Sequence, residues 1–210
     1  MRLTKVLLCM LILIFGLAAW AQEQPKVELS VDYSFVRFNP DKNFSTQAHN
    51  LNGAGGSFTY NLNKYLGLKG EFFGYGASTS TFVIPAGNPI LPAGGTFAVS
   101  GNMFTYLFGP QLKYRAKKVQ PFAHALFGGA HSTAYANLFS AAGIAGVAPG
   151  NNALAMSFGG GLDIPVTKTI AIRPVQIDYL LTRFGNVLNT TNQNNFRYAA
   201  GITFYLGGNK

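Results

Sequence analysis

Charged side chains are scarce in this sequence of 210 residues. Asp, Glu, Lys and Arg together make up 11% of the chain, whereas ordinary soluble domains carry about 25%. Only 7 residues are acidic against 16 basic ones, while 48% of the chain is hydrophobic. A surface that faces water on all sides is hard to build from this composition. The sequence therefore argues against an ordinary soluble domain.

Cysteine is nearly absent as well. The single cysteine, Cys9, lies in an N-terminal stretch with basic residues Arg2 and Lys5, an apolar run and the small residues Ala19 and Ala21. This pattern predicts a secretory signal over residues 1–21, cleaved after Ala21, followed by one mature domain over residues 22–210. The alternative, a transmembrane anchor, would need about 20 apolar residues, more than the run contains. The mature chain would then hold no disulfide.

Helical periodicity is missing from the rest of the chain. Instead, apolar and polar residues alternate in segments of fairly even spacing, which is typical of β-strands. Eight such segments are present: residues 27–38, 54–62, 66–75, 98–114, 120–130, 154–166, 170–184 and 195–206. The sequence therefore predicts an all-β protein.

The connections between these segments alternate in length. Those at residues 63–65, 115–119 and 167–169 are short, and the four others are long. Short turns on one side and long loops on the other are typical of outer-membrane barrels. Lipid does not tolerate an unpaired edge strand, so the last segment has to pair with the first. We predict an eight-stranded antiparallel up-and-down transmembrane β-barrel.

In each segment, one of the two sets of alternate residues is free of charge, as contact with lipid requires. Arg37, Arg173 and Arg183 continue this outward-facing set at the segment ends. Because eight strands enclose an interior that side chains fill, we predict a paired network and a plugged lumen. Pro174 cannot donate to a β-ladder, so we also expect a bulge near Arg173. The residues predicted to face inward are Glu28, Asp32, Lys69, Glu71, Lys113, His124, Asp163, Asp178 and Arg197.

The last predicted strand carries a sequence signal of its own. It reads NFRYAAGITFYL, with Gly201 followed by Phe204 and Leu206. This ending and the strand pattern resemble the small outer-membrane β-barrels of the OmpA/OmpX-like family, in which such a signal is recognised for assembly. The resemblance implies an integral protein of the bacterial outer membrane, exported through the periplasm and inserted by the barrel-assembly machinery. It also implies outer-membrane lipids and lipopolysaccharide as partners.

Candidate catalytic and metal-binding residues are few. His131 and Thr133 share a phase near the end of the fifth segment, but no carboxylate on the same predicted face completes an acyl-transfer triad. His49 has no Cys or His partner at the spacing of metal ligands. We therefore predict no enzyme activity, no catalytic or metal site and no cofactor.

Basic residues are spread along the chain, and we expect no nucleic-acid partner. Many lie at the short turns, beside inner-leaflet headgroups or solvent. Four others are predicted at the external ends of neighbouring strands, where they either contact phosphates of lipopolysaccharide or remain solvated rim charges. These four are Arg37, Lys42, Arg183 and Arg197.

The pattern favours a structural or surface-interaction role: membrane integrity, lipopolysaccharide contact, or adhesion through loops whose ligand is unknown. The alternatives are a narrow porin-like channel for small solutes, a lipid-modifying enzyme, and a soluble lipocalin-like barrel with a polar exterior. The second long loop has an apolar centre at Ile84, Ile90 and Leu91. Such a centre either docks a partner or folds back over the barrel mouth, and we expect the second arrangement.

Overall fold

The computed structural model describes residues 24–39, 49–84, 86–87, 92–133, 137, 151–183 and 192–207. The predicted signal over residues 1–21 lies outside them, as do Lys42, Ile90 and Leu91. No helix in the described part of the chain is long and apolar enough to cross a membrane. The described residues form eight strands: β1 Val27–Phe38, β2 His49–Asn61, β3 Leu66–Ile84, β4 Gly95–Lys113, β5 Gln120–Ser132, β6 Asn151–Pro165, β7 Ile170–Arg183 and β8 Gln193–Leu206.

The eight strands close into a barrel. Each strand pairs antiparallel with the next, and β8 returns to pair with β1. This closing seam runs from Val27 opposite Leu206 to Arg37 opposite Phe196. Closure pairs the backbone N–H and C=O groups of both end strands, which lipid could not satisfy. The prediction of an all-β, eight-stranded antiparallel barrel is confirmed.

The outer wall of the barrel is apolar. Large hydrophobic side chains are exposed along each strand, such as Val31 on β1 and Phe108 on β4, with tyrosines near the strand ends, such as Tyr60 and Tyr179. The seam is ten residue steps long, and at a rise of 3.3 Å and a tilt of about 40° this corresponds to about 25 Å. That is the height of the apolar band on outer-membrane barrels, so the outer wall suits lipid contact.

Strands β3 and β4 are longer than their alternation predicts. They remain paired beyond the barrel wall, from Ser78 opposite Gly101 to Ile84 opposite Gly95, after an irregularity between Tyr75 and Ser78. Most of the predicted second loop is therefore a β-hairpin. Within it, Ile84 is buried and belongs to the apolar cluster that contains Phe38. This placement favours a hairpin that leans over the mouth of the barrel.

Strand β7 contains the irregularity expected at Pro174. Its register against β8 shifts between Arg173 and Gln176, which lie opposite Gly201 and Ala199. The shift exchanges the inward and outward phases on the two sides of the proline. The prediction that Arg173 faces outward is therefore wrong, because its side chain is buried inside the barrel.

Candidate functional site

The interior of the barrel is the densest concentration of polar chemistry in the described residues. All the side chains that the alternation predicts to face inward do so, and each is at most 6% exposed. They contact one another inside the lumen, and several contacts, such as Lys113 with Glu28 and Arg197 with Glu71, join strands that are not neighbours in the sheet. The contacts divide into two ion-pair clusters stacked along the barrel axis.

The first cluster lies toward the short turns and is centred on Lys113. Its Nζ donates to Glu28 Oε2 at 2.7 Å and to Asp163 Oδ2 at 2.6 Å. Arg173 holds Asp163 with two hydrogen bonds, from Nε at 2.8 Å and from Nη2 at 3.2 Å. Arg115, from the short turn after β4, also pairs with Glu28. Two cations thus face each of these two carboxylates.

Asp32 links the first cluster to the polar side chains of β1. Its Oδ2 accepts a hydrogen bond from Ser30 Oγ at 2.5 Å and lies 3.5 Å from Arg173 Nη1. Arg173 therefore bridges Asp32 and Asp163, which belong to different strands. Sequence reasoning missed this role because Arg173 lies next to the phase change at Pro174.

The second cluster lies one layer further along the axis and is centred on Arg197. Its Nη2 lies 2.5 Å from Glu71 Oε1 and 2.7 Å from Asp178 Oδ2, and its Nε donates to Asp178 at 2.9 Å. Lys69 pairs with Glu71 at 3.1 Å. His124 Nε2 lies 2.7 Å from Asp178 Oδ1. Each carboxylate of this cluster therefore pairs with Arg197 and with one further basic side chain.

Gln176 joins the two clusters. Its amide nitrogen donates to Glu71 at 3.0 Å and to Asp178 at 2.9 Å, and its amide oxygen accepts from Arg173 Nη1 at 3.3 Å. The combined network contains five carboxylates and five Lys or Arg side chains, so its formal charges cancel. Balanced, hydrogen-bonded pairs are the condition under which buried charges are tolerated.

Above the two clusters, toward the long loops, the interior becomes apolar. Phe73 covers Arg197, whose guanidinium carbon lies 5.0 Å from the ring centroid. The buried side chains of this apolar layer include Val36, Phe38, Phe73, Leu107, Leu126 and Leu180. Sequence reasoning missed the layer because both faces of these strands are apolar there, and alternation then loses its contrast.

The three described members of the predicted lipopolysaccharide contact do not all face the exterior. Arg37 and Arg183 are exposed at the outer ends of β1 and β7, and Arg37 donates to Asn50 Oδ1 at 3.1 Å. Arg197, in contrast, is completely buried. It belongs to the interior network and has no access to a lipid headgroup.

The remaining candidate residues for catalysis or metal binding are His131, Thr133 and His49. His131 Nδ1 lies 2.8 Å from Asn152 Oδ1, and Thr133 Oγ1 accepts from the backbone N–H of Asn102 at 3.0 Å. The side chain of His49 lies outside the described residues. In the described part of the chain, no three His, Cys, Asp or Glu side chains are grouped as metal ligands.

The three residues of the predicted assembly signal all lie on β8. Gly201 is paired with Asp32, Phe204 with Leu29, and Leu206 with Val27 across the seam. Phe204 and Leu206 point outward and are partly exposed. The signal therefore lies on the strand that closes the barrel.

Comparison with known proteins agrees with this architecture. A family model described as the outer membrane protein beta-barrel domain matches residues 7–208. Neisserial surface protein A (NspA) superposes with a TM-score of 0.59 at 11% sequence identity, over 88% of this chain and 100% of that chain. OprG from Pseudomonas aeruginosa superposes with a TM-score of 0.52 at 10% identity, over 90% of this chain and 100% of that chain. At such identities the likeness concerns the fold alone, and no curated protein sequence matches the chain.

Proposed function

This chain belongs to the outer membrane protein beta-barrel family and resides in the bacterial outer membrane, and from that premise we propose that it is a non-conducting structural barrel whose outer rim contacts lipopolysaccharide. The observation that carries the proposal is the filled lumen. Lys69, Arg197 and Leu107 come from different strands and are each at most 2% exposed. A charged layer and an apolar layer therefore obstruct the path along the axis in succession.

The energetics of the lumen support a structural role over transport. Opening a water column would require the buried ion pairs to separate and the apolar layer above them to take up water. Eight-stranded barrels enclose a space that side chains fill, whereas water-filled porins have 16 to 18 strands. A narrow channel for small solutes is the alternative that this proposal opposes.

The purified, folded protein is expected to give no conductance steps above the bare-bilayer baseline in planar lipid bilayers. The physical reason is the succession of filled layers, which leaves no continuous aqueous path. A water-filled porin reconstituted by the same procedure serves as the positive control. Conductance steps whose frequency scales with the amount of folded protein would contradict the proposal and favour the channel.

Lipopolysaccharide contact is the second half of the proposal. Arg37 and Arg183 are exposed at the outer ends of their strands, and the described exterior around them carries no carboxylate. Guanidinium groups donate two parallel hydrogen bonds that match phosphate oxygens. Lys42 follows β1 in the sequence, directly after Asp41, and is the third cation of the proposed contact.

Replacing Arg37, Lys42 and Arg183 together with Gln is expected to reduce lipopolysaccharide affinity about tenfold. Exposed ionic contacts contribute about 0.5 kcal/mol each, and three of them correspond to about one order of magnitude. The measurement is the lipopolysaccharide that co-purifies with equal amounts of folded protein. The matched control replaces Lys26, Lys64 and Lys118 with Gln, which removes the same charge at the opposite end of the barrel. An equal loss of co-purified lipopolysaccharide in the two variants, or no loss in either, would contradict the assignment of the contact to the outer rim.

We propose further that the barrel is not an enzyme. The support is local: His131 contacts an amide and Thr133 a backbone N–H, which does not form the base-and-orienter arrangement of an acyl-transfer site. Export with cleavage after Ala21, and insertion by the barrel-assembly machinery through Gly201, Phe204 and Leu206, are parts of the same proposal. Lipid A mass spectra that changed on deletion of the gene would favour a lipid-modifying enzyme instead.

A further inference from the structure

The end of the barrel at the short turns contains an open recess of about 310 Å³. We call it the periplasmic basin, because the short turns of outer-membrane barrels face the periplasm. Its walls come from the turn after β4, the turn after β6 and the start of the described chain. The side chains with polar ends that line it include Arg115, Lys117, Gln120, Thr167, Lys168 and Tyr205.

The basin is strongly cationic. Three of its lining side chains are basic, and none of the described residues that line it is acidic. Glu28, the carboxylate that pairs with Arg115 of the basin, also accepts from Lys113. The charges of Lys117 and Lys168 therefore remain uncompensated by the network beneath them.

The distribution of acidic residues over the whole barrel strengthens this charge. The chain has 7 acidic residues, and the five that the structure describes are all buried in the lumen: Glu28, Asp32, Glu71, Asp163 and Asp178. All charged side chains on the described exterior are therefore basic. A concave surface lined by one sign of charge next to a low-dielectric wall concentrates ions of the opposite sign.

Two buried polar atoms at the basin have no partner in the described residues. One is Arg115 Nε, and the other is the amide oxygen of Gln24. The guanidinium of Arg115 uses Nη2 to pair with Glu28, so its Nε–H is left as a donor. Both residues line the recess, but these two atoms are themselves buried beneath its surface, so they add polar groups beside the recess and no donor that faces into it.

We propose that the periplasmic basin binds a phosphate-bearing anion. Arg115, Lys117 and Lys168 supply positive charge. Thr167, whose Oγ1 accepts from the backbone N–H groups of Thr169 and Ile170, supplies a hydroxyl donor, whereas the Tyr205 hydroxyl already donates to Gln120 Oε1. A guanidinium, two ammonium groups and a hydroxyl suit the several oxygens of a phosphate. Phosphate oxygens in this compartment come either from soluble phosphorylated molecules or from anionic lipid headgroups.

The test uses the folded full-length mature protein in dodecyl maltoside micelles, which contain no phosphate. Inorganic pyrophosphate is titrated while the backbone amide shifts of Ala116, Lys117 and Lys168 are followed by NMR. The shifts are expected to saturate together, with one Kd. In the double variant Lys117→Gln/Lys168→Gln, that Kd is expected to rise about tenfold, because two ionic contacts to one anion are lost.

The matched control is Lys64→Gln/Lys118→Gln. It removes the same charge from the short turns, but neither residue lines the basin. A control Kd within about twofold of the Kd of the unmodified protein supports a site at the basin. For comparison, the tenfold rise expected of the basin variant corresponds to about 1.4 kcal/mol. A rise equal to that of the basin variant, or shifts that never saturate, would overturn the proposal in favour of diffuse charge attraction.

A second arm identifies the source of the phosphate. Short-chain phosphatidylglycerol is added to the same micelles in place of pyrophosphate. Tighter saturation by pyrophosphate supports the proposal with a soluble ligand, and tighter saturation by phosphatidylglycerol supports it with a lipid headgroup. If neither probe moves the basin amides of the unmodified protein while its spectrum shows that it is folded, the proposal is wrong.

Discussion

Replacing Arg197 with Met is expected to lower the free energy of unfolding of the barrel by about 3–5 kcal/mol. Arg197 is fully buried and pairs with both Glu71 and Asp178. Its removal leaves Glu71 with Lys69 and Asp178 with His124 as basic partners, and the neutral amide of Gln176 as the donor they share. A buried charge that loses its partner keeps its desolvation penalty, which is why the expected loss is large. Urea unfolding in micelles, followed by circular dichroism or the shift of the folded band in unboiled gels, measures it.

Arg183→Met is the matched control for this variant. Arg183 is an arginine at the outer end of the neighbouring strand β7, but its side chain is exposed, so the same substitution is expected to change stability by no more than about 0.5 kcal/mol. A second substitution, Asp178→Asn, in the Arg197→Met background should recover part of the loss, because it removes one of the unpaired carboxylates. Equal stability of Arg197→Met and Arg183→Met would show that the interior network contributes little.

Replacing Gly201 with Ala is expected to destabilise the closed barrel by about 1–3 kcal/mol. Gly201 lies on the seam opposite Asp32, and an added Cβ would overlap the carbonyl oxygen of Val31 and come within 2.7 Å of the Asp32 Cα. Both atoms belong to the backbone of β1, so the two closing strands have to separate to accommodate the methyl group. Urea unfolding of protein refolded in micelles measures the loss.

Gly74→Ala is the control for Gly201→Ala. A Cβ at Gly74 meets only the ring of Phe104, at 3.8 Å, which is an ordinary van der Waals distance. Refolding in micelles without assembly machinery separates two roles of Gly201. If Gly201→Ala refolds with unchanged stability but assembles poorly in cells, its role is recognition as a signal, and the steric account of the seam is wrong.

The interior charges show how much alternation alone reveals. Alternation predicts that Glu28, Glu71 and Asp178 face the interior, because a lipid-facing position excludes charge. The same rule predicts that Arg173 faces outward, whereas it lies inside, because the register of β7 shifts at Pro174. Pro174 predicts an irregularity, but the direction of the register shift depends on how β7 pairs with β8. The sequence around Pro174 does not specify that pairing.

The apolar layer in the outer half of the lumen shows where alternation fails to distinguish the two faces of a strand. Val36, Leu107 and Leu180 face the interior, while the other phase of the same strands faces lipid, and both environments select apolar side chains. For a related reason, alternation does not predict the long hairpin of β3 and β4. Its residues are polar or small on both phases around Ser78 and Ser80, so alternation is weak there and the strands are recognised only through their pairing with each other.

The number of strands, the closed antiparallel order, the apolar exterior and the inward direction of most charges can all be read from the amino-acid sequence. These properties follow from a period of two residues and from the intolerance of lipid for charge and for unpaired backbone. The pairing of the charges, the place of Arg173 in the network and the grouping of Arg115, Lys117 and Lys168 around one recess emerge with the folded barrel. Those outcomes depend on the register with which strands distant in sequence close the ring, and that register is a property of the whole barrel.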